Sequence, residues 1–411
     1  MRGVAVLRRA GELACALALA AWAGCGAPAP KDTIKLGAVL STTGTLAELG
    51  LAQLRAVAHA VEEINAAGGV LGKPLELVHH DDATATDRAT RVAQALRDSG
   101  VTAVVGAVGS DLTRVVASVA VPAAVVVSAS ATATGLSTLD DQGYFFRTCS
   151  TDTAQAKLLA QRARQHGFTR VAVIHPPEAE EQGLADAFAT AFTAGGGTVV
   201  ARVAHASGQA SYDELLQTVL REEPEAVVLD ANPVDGTQII KDYVAVHLGL
   251  GVFWLLSDTL GHESLVTAVG SHNFTFPHEG VGPGTPAGAR YVSFASGYQA
   301  RYGTEPAVGA YTANVYDAVY LLALAMEHAR STEASAIRAA LPAVSLGGRA
   351  FGPADYARAV EAVRAGQDIN YDGASGPVDL NTVGDTTAPF DVWVVRDGVI
   401  VVVERAVLAP P

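Results

Sequence analysis

From Thr33 onward, short apolar runs with few charges alternate with segments whose apolar residues recur at helical spacing, and the series runs through once and then starts again. Thr33–Leu40, Leu75–His80, Val101–Gly106 and Ala124–Ser128 read as strands, with helices over Gly50–Ala66, Asp87–Arg97 and Asp111–Ala120. In the first helix Leu51, Leu54, Val57, Ala58, Val61 and Ile64 fall on one face, and Gly68-Gly69 stops it. Strands that tolerate apolar residues on both faces belong in a parallel sheet covered by helices on each side. The second round places strands at Arg170–His175, Thr198–Ala204, Ala226–Leu229 and Val252–Leu256. Its helices fall at Thr153–Gln165, Gln182–Ala194, Tyr212–Arg221 and Gly236–His247. Two consecutive doubly wound α/β units follow, with Tyr144–Ser150 as the crossing between them.

The pattern then changes. Gly and Pro dominate Gly280–Gly288, which reads as a loop or linker, and helices resume at Ala289–Tyr302 and Ala310–Arg330. Pro389–Glu404 reads as a β-hairpin, because Asp397-Gly398 is the dipeptide that a two-residue type I′ turn requires. Helices followed by a hairpin cannot simply extend either parallel sheet, so the chain is expected to return and complete both lobes.

With 411 residues, 49% hydrophobic and 17% charged, the chain has material for two sizeable cores. Its formal net charge of −14 excludes binding to nucleic acid or an anionic membrane surface, both of which need clustered Lys and Arg. The first residues differ in kind. Arg2, Arg8 and Arg9 precede an apolar stretch, Leu13–Ala23, that is shorter than the roughly 20 residues a bilayer span takes but suits a signal peptide. Ala23-Gly24-Cys25 followed by a Pro/Ala tether resembles a bacterial lipoprotein cleavage site, with residues 1–25 as the leader, Cys25 as the lipidated residue and 26–32 as the tether. Trp22 stands where that pattern prefers Leu, and an ordinary secretory signal with an incidental cysteine is the alternative. Export is expected either way. Removal of the leader takes Cys15 and leaves Cys149 as the one cysteine of the folded part, so no intrachain disulfide is expected. Cys149 beside Arg147 reads as a small buried hydrophobe rather than a reactive thiol.

Ligands of open α/β sheets sit beyond the carboxyl ends of the strands. In the first unit those ends carry Ser41, Thr42 and Thr43, then Ser110, then Ser128-Ala129-Ser130-Ala131-Thr132-Ala133-Thr134. Hydroxyls and free N–H groups there suit a carboxylate, and helix capping is the plainer alternative at any single site. In the second unit the ends carry acids: Glu178, Glu180 and Glu181, then Asp230 with Asn232, then Asp258. Hydroxyls facing acids would suit a zwitterion, its carboxylate toward the first wall and its ammonium toward the second.

Catalytic motifs fare worse. His79-His80-Asp81-Asp82 cannot converge on a metal, since neighbours on a strand alternate faces. Gly68–Pro74 has the wrong spacing for a phosphate loop, and Gly373-Ala374-Ser375-Gly376 lacks the spacing of a nucleophile elbow. No metal and no cofactor is expected, and no enzymatic role.

Ile34–Leu40 followed by Ser-Thr-Thr-Gly, then Ala60–Leu75, His80–Ala83, Val105-Gly106, Ser128–Thr134, Tyr316-Asp317-Ala318 and Asp372–Val378, together resemble the type I periplasmic binding proteins of branched-chain amino-acid ABC transporters. The resemblance covers Thr33 to Glu404. It implies two Rossmann-like lobes joined by three hinge crossings, 33–148 plus 277–372 and 149–276 plus 373–411, which close on a ligand. It places the ligand-gripping positions at Ser110, at Ser130-Ala131-Thr132 and at Asp258, the last shortened from the usual Glu. Leu49, Glu180 and Asn232 stand where cleft tyrosines are usual, which points away from leucine, isoleucine and valine and toward a more polar or cationic amino acid, amide or amine. The implied partner is an ABC permease, with the membrane touched through the lipid anchor alone. A stand-alone sensor of the same fold is the second expectation, and an exported α/β enzyme the third.

Overall fold

Two sheets organise the chain, one of five strands and one of seven, and their five-stranded parallel parts share one strand order. The structure is a computed structural model that describes residues 32–177, 183–284, 286–307, 309–386 and 388–406; the expected leader, Cys25, nearly all of the tether, and Glu178, Glu180 and Glu181 lie outside them. From Ile34 on, the chain forms one contact unit.

The first sheet is built from β1 (Ile34–Val39), β2 (Leu75–His80), β3 (Ala103–Gly106), β4 (Val125–Ser128) and β5 (Phe145–Arg147), connected by α1 (Ala47–Ala66), α2 (Thr86–Asp98) and α3 (Ser110–Ala120). Its order is β2-β1-β3-β4-β5, all parallel. After β5 the chain crosses and builds α4 (Asp152–Gln165), β6 (Arg170–His175), α5 (Gly183–Ala194), β7 (Thr198–Ala204), α6 (Asp213–Leu220), β8 (Ala226–Leu229), α7 (Pro233–Asp242), β9 (Phe253–Leu256), α8 (Glu263–Val269) and β10 (His278–Pro283). There β7-β6-β8-β9-β10 repeats the first order. A second crossing leads to α9 (Ala289–Tyr302), α10 (Thr312–Ala329), α11 (Ala334–Ser345), β11 (Arg349–Phe351), α12 (Tyr356–Arg364) and β12 (Ile369–Tyr371), which pack with the first sheet. A third crossing brings in β13 (Phe390–Arg396) and β14 (Val399–Ala406), which extend the second sheet antiparallel to β10.

Each sheet has a core on both faces, as uncharged strands require. In the first, Leu36, Ala38 and Val105 face α1, α10 and α11, while Val39, Val104 and Val126 face α2 and α3. In the second, Ile174, Leu229 and Trp254 face α6 to α8, and Val171, Val173 and Val228 face α4 and α5. Every residue of α10 from Thr312 to Glu327 is buried, so this helix is apolar nearly all round because it has no solvent face. Among the described residues no helix is long and apolar enough to cross a membrane.

Two expectations change. Gly280–Gly288 is not a linker throughout, since its first residues form β10, a central strand. The glycine is needed there by packing: a Cβ on Gly280 would sit 2.0 Å from the indole of Trp393. The Tyr144–Ser150 crossing likewise begins as β5, a fifth strand. The hairpin turn is as read, with Asp397 and Gly398 both at positive φ (54° and 78°).

Candidate functional site

The order 2-1-3-4-5 reverses direction between β1 and β3 in one sheet and between β6 and β8 in the other, and crevices form at such points. The segments that leave these strand ends therefore decide what a ligand meets.

On the first sheet the chain after β1 is spent internally. Ser41 Oγ donates to Asp82 Oδ1 (2.5 Å) and Thr43 Oγ1 to Asp81 Oδ2 (2.7 Å), while the N–H groups of Thr42, Thr43 and Ala83 converge on Asp81 Oδ1. Burial raises the Asp81 pKa, but these hydrogen bonds outweigh it and hold the carboxyl far below the usual range. His80-Asp81-Asp82 thus ties two strand ends together. Ser41 and Thr43 do not present free hydroxyls.

Beyond β3 and β4 the hydroxyls are arranged differently. Ser110 Oγ accepts the Ala133 N–H (3.0 Å), and Ser130 Oγ accepts Nε2 of Gln53 (3.1 Å). An oxygen that already receives a protein donor turns its own hydrogen elsewhere, so both serines are poised as donors. The loop between them is fixed by Arg147, whose side chain is fully buried. Its Nη1 donates to the carbonyls of Ala131 (3.0 Å) and Ala133 (2.9 Å), on either side of Thr132, and its Nε pairs with Asp385 Oδ1 at 2.6 Å. Asp385 lies in the third crossing, so one guanidinium links a hinge strand to the loop. The sequence gives no local signal for it, because the partners are 238 positions apart.

Thr132 meets the second sheet's chain. Its carbonyl accepts the Asp152 N–H at 2.9 Å, and its side chain lies close enough to the Asp152 carboxyl to favour the charged form. Asp152 opens α4 immediately after the first crossing. Asp258, at the carboxyl end of β9, accepts from Gln155 Nε2 (3.2 Å) and from Tyr311 Oη (3.0 Å). Tyr311 precedes α10 on the first sheet's side, so that phenol already spans the gap. Burial pushes the Asp152 carboxyl up to about 6, and the nearby Asp258 charge adds to it. Burial also raises Asp258, against the pull of its two donors. Two neighbouring carboxylates with neutral donors form a strong locus for a cation.

Thr132, Gln155, Asp258 and Tyr311 line one pocket, whose floor is made by the crossings at Ser150, Gly284 and Pro389. Its cavity volume is about 20 Å³, room for about one water molecule. Ser110, Ser130 and Ala131 lie around the loop above Thr132 rather than in its lining. Cys149 lines the pocket as a buried thiol pushed up to about 12 by burial, consistent with a small hydrophobe.

Asn232 has another job. Pro233 at the first helical position starts α7 there, and the Asn232 side chain turns back to accept the N–H groups of Val234 (3.0 Å) and Asp235 (2.9 Å). It is a helix cap at an exposed position and does not line the pocket. Leu49 is half-buried against the first core. Asp152, Gln155 and Tyr311 were not read from the sequence as site residues. An acid at the start of a helix ordinarily reads as a cap-region charge, and the other two gain meaning only through Asp258.

Two doubly wound lobes with a polar pocket at their crossings define the class of two-lobed solute-binding clamps. The chain belongs to the periplasmic binding protein family, whose model matches residues 33–371, and groups with the type I branch that holds the Leu/Ile/Val-binding proteins. It is 29% identical over 350 residues to the chemotactic signal transduction system substrate-binding protein BasB of Halobacterium salinarum, covering 83% of this chain and 81% of that one. It is 28% identical to Leu/Ile/Val-binding protein homolog 3 of Brucella melitensis, covering 96% and 99%. The crystal structure of the branched-chain amino acid transporter substrate-binding protein LivJ of Streptococcus pneumoniae, in complex with isoleucine, superposes with a TM-score of 0.74 at 23% identity, over 92% of this chain and 100% of that one. That likeness carries the fold. At the level of the family these are binding proteins rather than enzymes, and the family is one of exported proteins.

Proposed function

We propose that this chain is the extracytoplasmic solute-binding component of an ABC importer and captures a small amino-acid-like molecule between two closing lobes. The observation that carries the reading is a pocket with two walls: Thr132 on the first sheet's side, with Ser110 and Ser130 around its loop outside the lining, and Asp258 with Gln155 on the second's, next to the Asp152 carboxylate. A carboxylate on the first wall and an ammonium on the second would let the ligand bridge the lobes. A ligand that touches both binds the closed state better and shifts the population toward it. Closure in turn would create the surface that a permease recognises. No covalent step is needed.

The lobes would divide as 33–148 plus 277–372 and 149–276 plus 373–411, with Cys25 as a lipid anchor. The Asp258 carboxylate in the pocket, with Asp152 beside it, supports a ligand more polar or cationic than leucine, isoleucine or valine. Native mass spectrometry of the protein as purified, followed by thermal-shift screening of amino acids and amines, tests this. A retained amino acid or amine supports the reading; tight binding of leucine alone refutes the polar preference, and a retained ligand without an ammonium refutes the two-wall scheme. Cys25→Ala is expected to move the protein from the membrane fraction to the soluble one.

Similarity to BasB favours one second reading: the same clamp delivering its signal to a receptor partner instead of a permease. Co-purification with a transducer rather than a permease would select it.

A further inference from the structure

Tyr311 stands immediately before α10 and packs with the first core, yet its side chain crosses to the second sheet, where Oη donates to Asp258 Oδ2 at 3.0 Å. Gln155 Nε2 takes the other oxygen of that carboxylate at 3.2 Å, so Asp258 holds one donor from each side of the cleft. Burial, with the Asp258 charge beside it, keeps the proton on the phenol, which therefore stays a donor. A phenylalanine would fill the same space; the hydroxyl is what reaches the acid. The backbone at Tyr311 is left-handed (φ 54°, ψ 30°), a conformation that bulky residues adopt rarely and keep where their surroundings over-determine it. Here the wholly buried start of α10 fixes the residue on one side, and Asp258 fixes it on the other.

The two sides also touch away from this bond. Gly183, the first residue of α5, leaves so little space that a Cβ there would lie 2.9 Å from Thr134 Oγ1 on the opposite loop. Thr134 Oγ1 in turn lies 3.2 Å from Thr153 Oγ1 in the first turn of α4. Between the walls the pocket narrows to about 20 Å³, with Tyr311 and Asp258 both in its lining. All of these contacts join the protein's own groups. The Tyr311–Asp258 bond is buried and has a carboxylate acceptor, which makes it the strongest of them.

We infer that Tyr311 is an inter-lobe latch: its hydroxyl on Asp258 holds the clamp closed through the protein's own groups, and its release opens the cleft. The latch rests on the two closing lobes proposed above, but not on the identity of what they bind. It also sets how readily the clamp captures anything. A molecule that seats at Asp258 meets the open fraction alone, so its apparent affinity is the intrinsic one reduced by that fraction.

The test is small-angle X-ray scattering and amide hydrogen exchange on protein freed of bound small molecules by unfolding and refolding. Wild type is compared with Tyr311→Phe, which removes the hydroxyl alone, and with Gly183→Leu, which wedges α5 away from Thr134 and marks separated lobes. A compact chain of this size has a radius of gyration of about 21 Å, and separation of the lobes should add about 1 Å. Loss of one hydrogen bond to a charged group should shift the closed-to-open ratio about tenfold. Tyr311→Phe is therefore expected to approach the radius of Gly183→Leu, with amides at Asp258–Leu260 and at 131–134 exchanging about tenfold faster than in the wild type. Thermal unfolding verifies that both variants are folded. A hydroxyl with a merely structural role would lower the midpoint of Tyr311→Phe and leave its radius and exchange as in the wild type, which overturns the latch. A wild type as extended as Gly183→Leu overturns it too. If folded Gly183→Leu is as compact as the wild type, the lobes do not separate, and the closing-clamp reading falls together with the latch.

Discussion

The two walls of the cleft are made rigid by opposite means. On the first, a buried arginine grips the carbonyls of Ala131 and Ala133 and is itself neutralised by Asp385, so neutral hydroxyls are held on a pinned loop. On the second, Asp152 and Asp258 stand close together, Asp258 with a phenol and an amide donor, and among the described residues neither is ion-paired with a cation. The first wall is complete in itself. The second is short of a positive charge, which the ammonium of the proposed ligand would supply. A binding protein gains from this division: one lobe supplies shape, and the other supplies the electrostatic demand that favours closure.

That contrast gives four predictions. The largest effect is expected at Arg147. Replacing it by Met strands Asp385 and two carbonyls in the interior, and breaking a buried pair in this way costs about 3–5 kcal/mol, read as a fall in the denaturant midpoint. If Arg147→Met unfolds like the wild type, the first wall is not pinned as described. Next is Asp258→Asn, which should weaken ligand binding by about 2–4 kcal/mol in calorimetry while leaving the ligand-free protein as stable or more so, because burial disfavours that charge. Loss of stability together with loss of binding would make Asp258 structural and erase the difference between the walls.

A smaller effect is expected from pH. Asp152 titrates near 6 in the fold against about 3.9 when unfolded, so the folded protein holds more protons between those values. The contribution of Asp152, read as the stability of the ligand-free wild type minus that of Asp152→Asn, should therefore decline as pH rises from about 4 to about 6 and flatten above. Affinity for an ammonium ligand should change oppositely, falling as pH drops below about 6, by up to about tenfold per unit. Unfolding and calorimetric series across pH 4–8 would show whether the two curves oppose each other. The smallest effect is expected for Ser110→Ala, about 1 kcal/mol in binding with little change in fold, since one neutral hydrogen bond of modest net worth is removed. A loss as large as that of Asp258→Asn would contradict the neutral character of the first wall.

The sequence made the strand-helix alternation, both rounds of it, and the closing hairpin legible because those depend on local spacing and on Asp397-Gly398. It concealed β10, because the glycines that look like a linker are there to admit Trp393 from the far end of the chain. Of the residues that line the pocket, Thr132 and Asp258 are readable from their places after strands; Ser110, read in the same way, lies outside the lining. Asn232 was readable there too, but its side chain went to the cap that Pro233 invites. Asp152, Gln155, Tyr311 and Arg147 acquire their roles from partners distant in sequence, and no spacing rule reaches them.

The central claim is tested most directly by a crystal structure of the protein saturated with its retained or highest-affinity ligand. The ligand nitrogen should lie within hydrogen-bonding distance of Asp258 and its acceptor group against the Ser110–Thr132 side, with both lobes in contact with one molecule. A ligand held by one lobe alone, or bound with an anionic group against Asp152 and Asp258, would contradict the account.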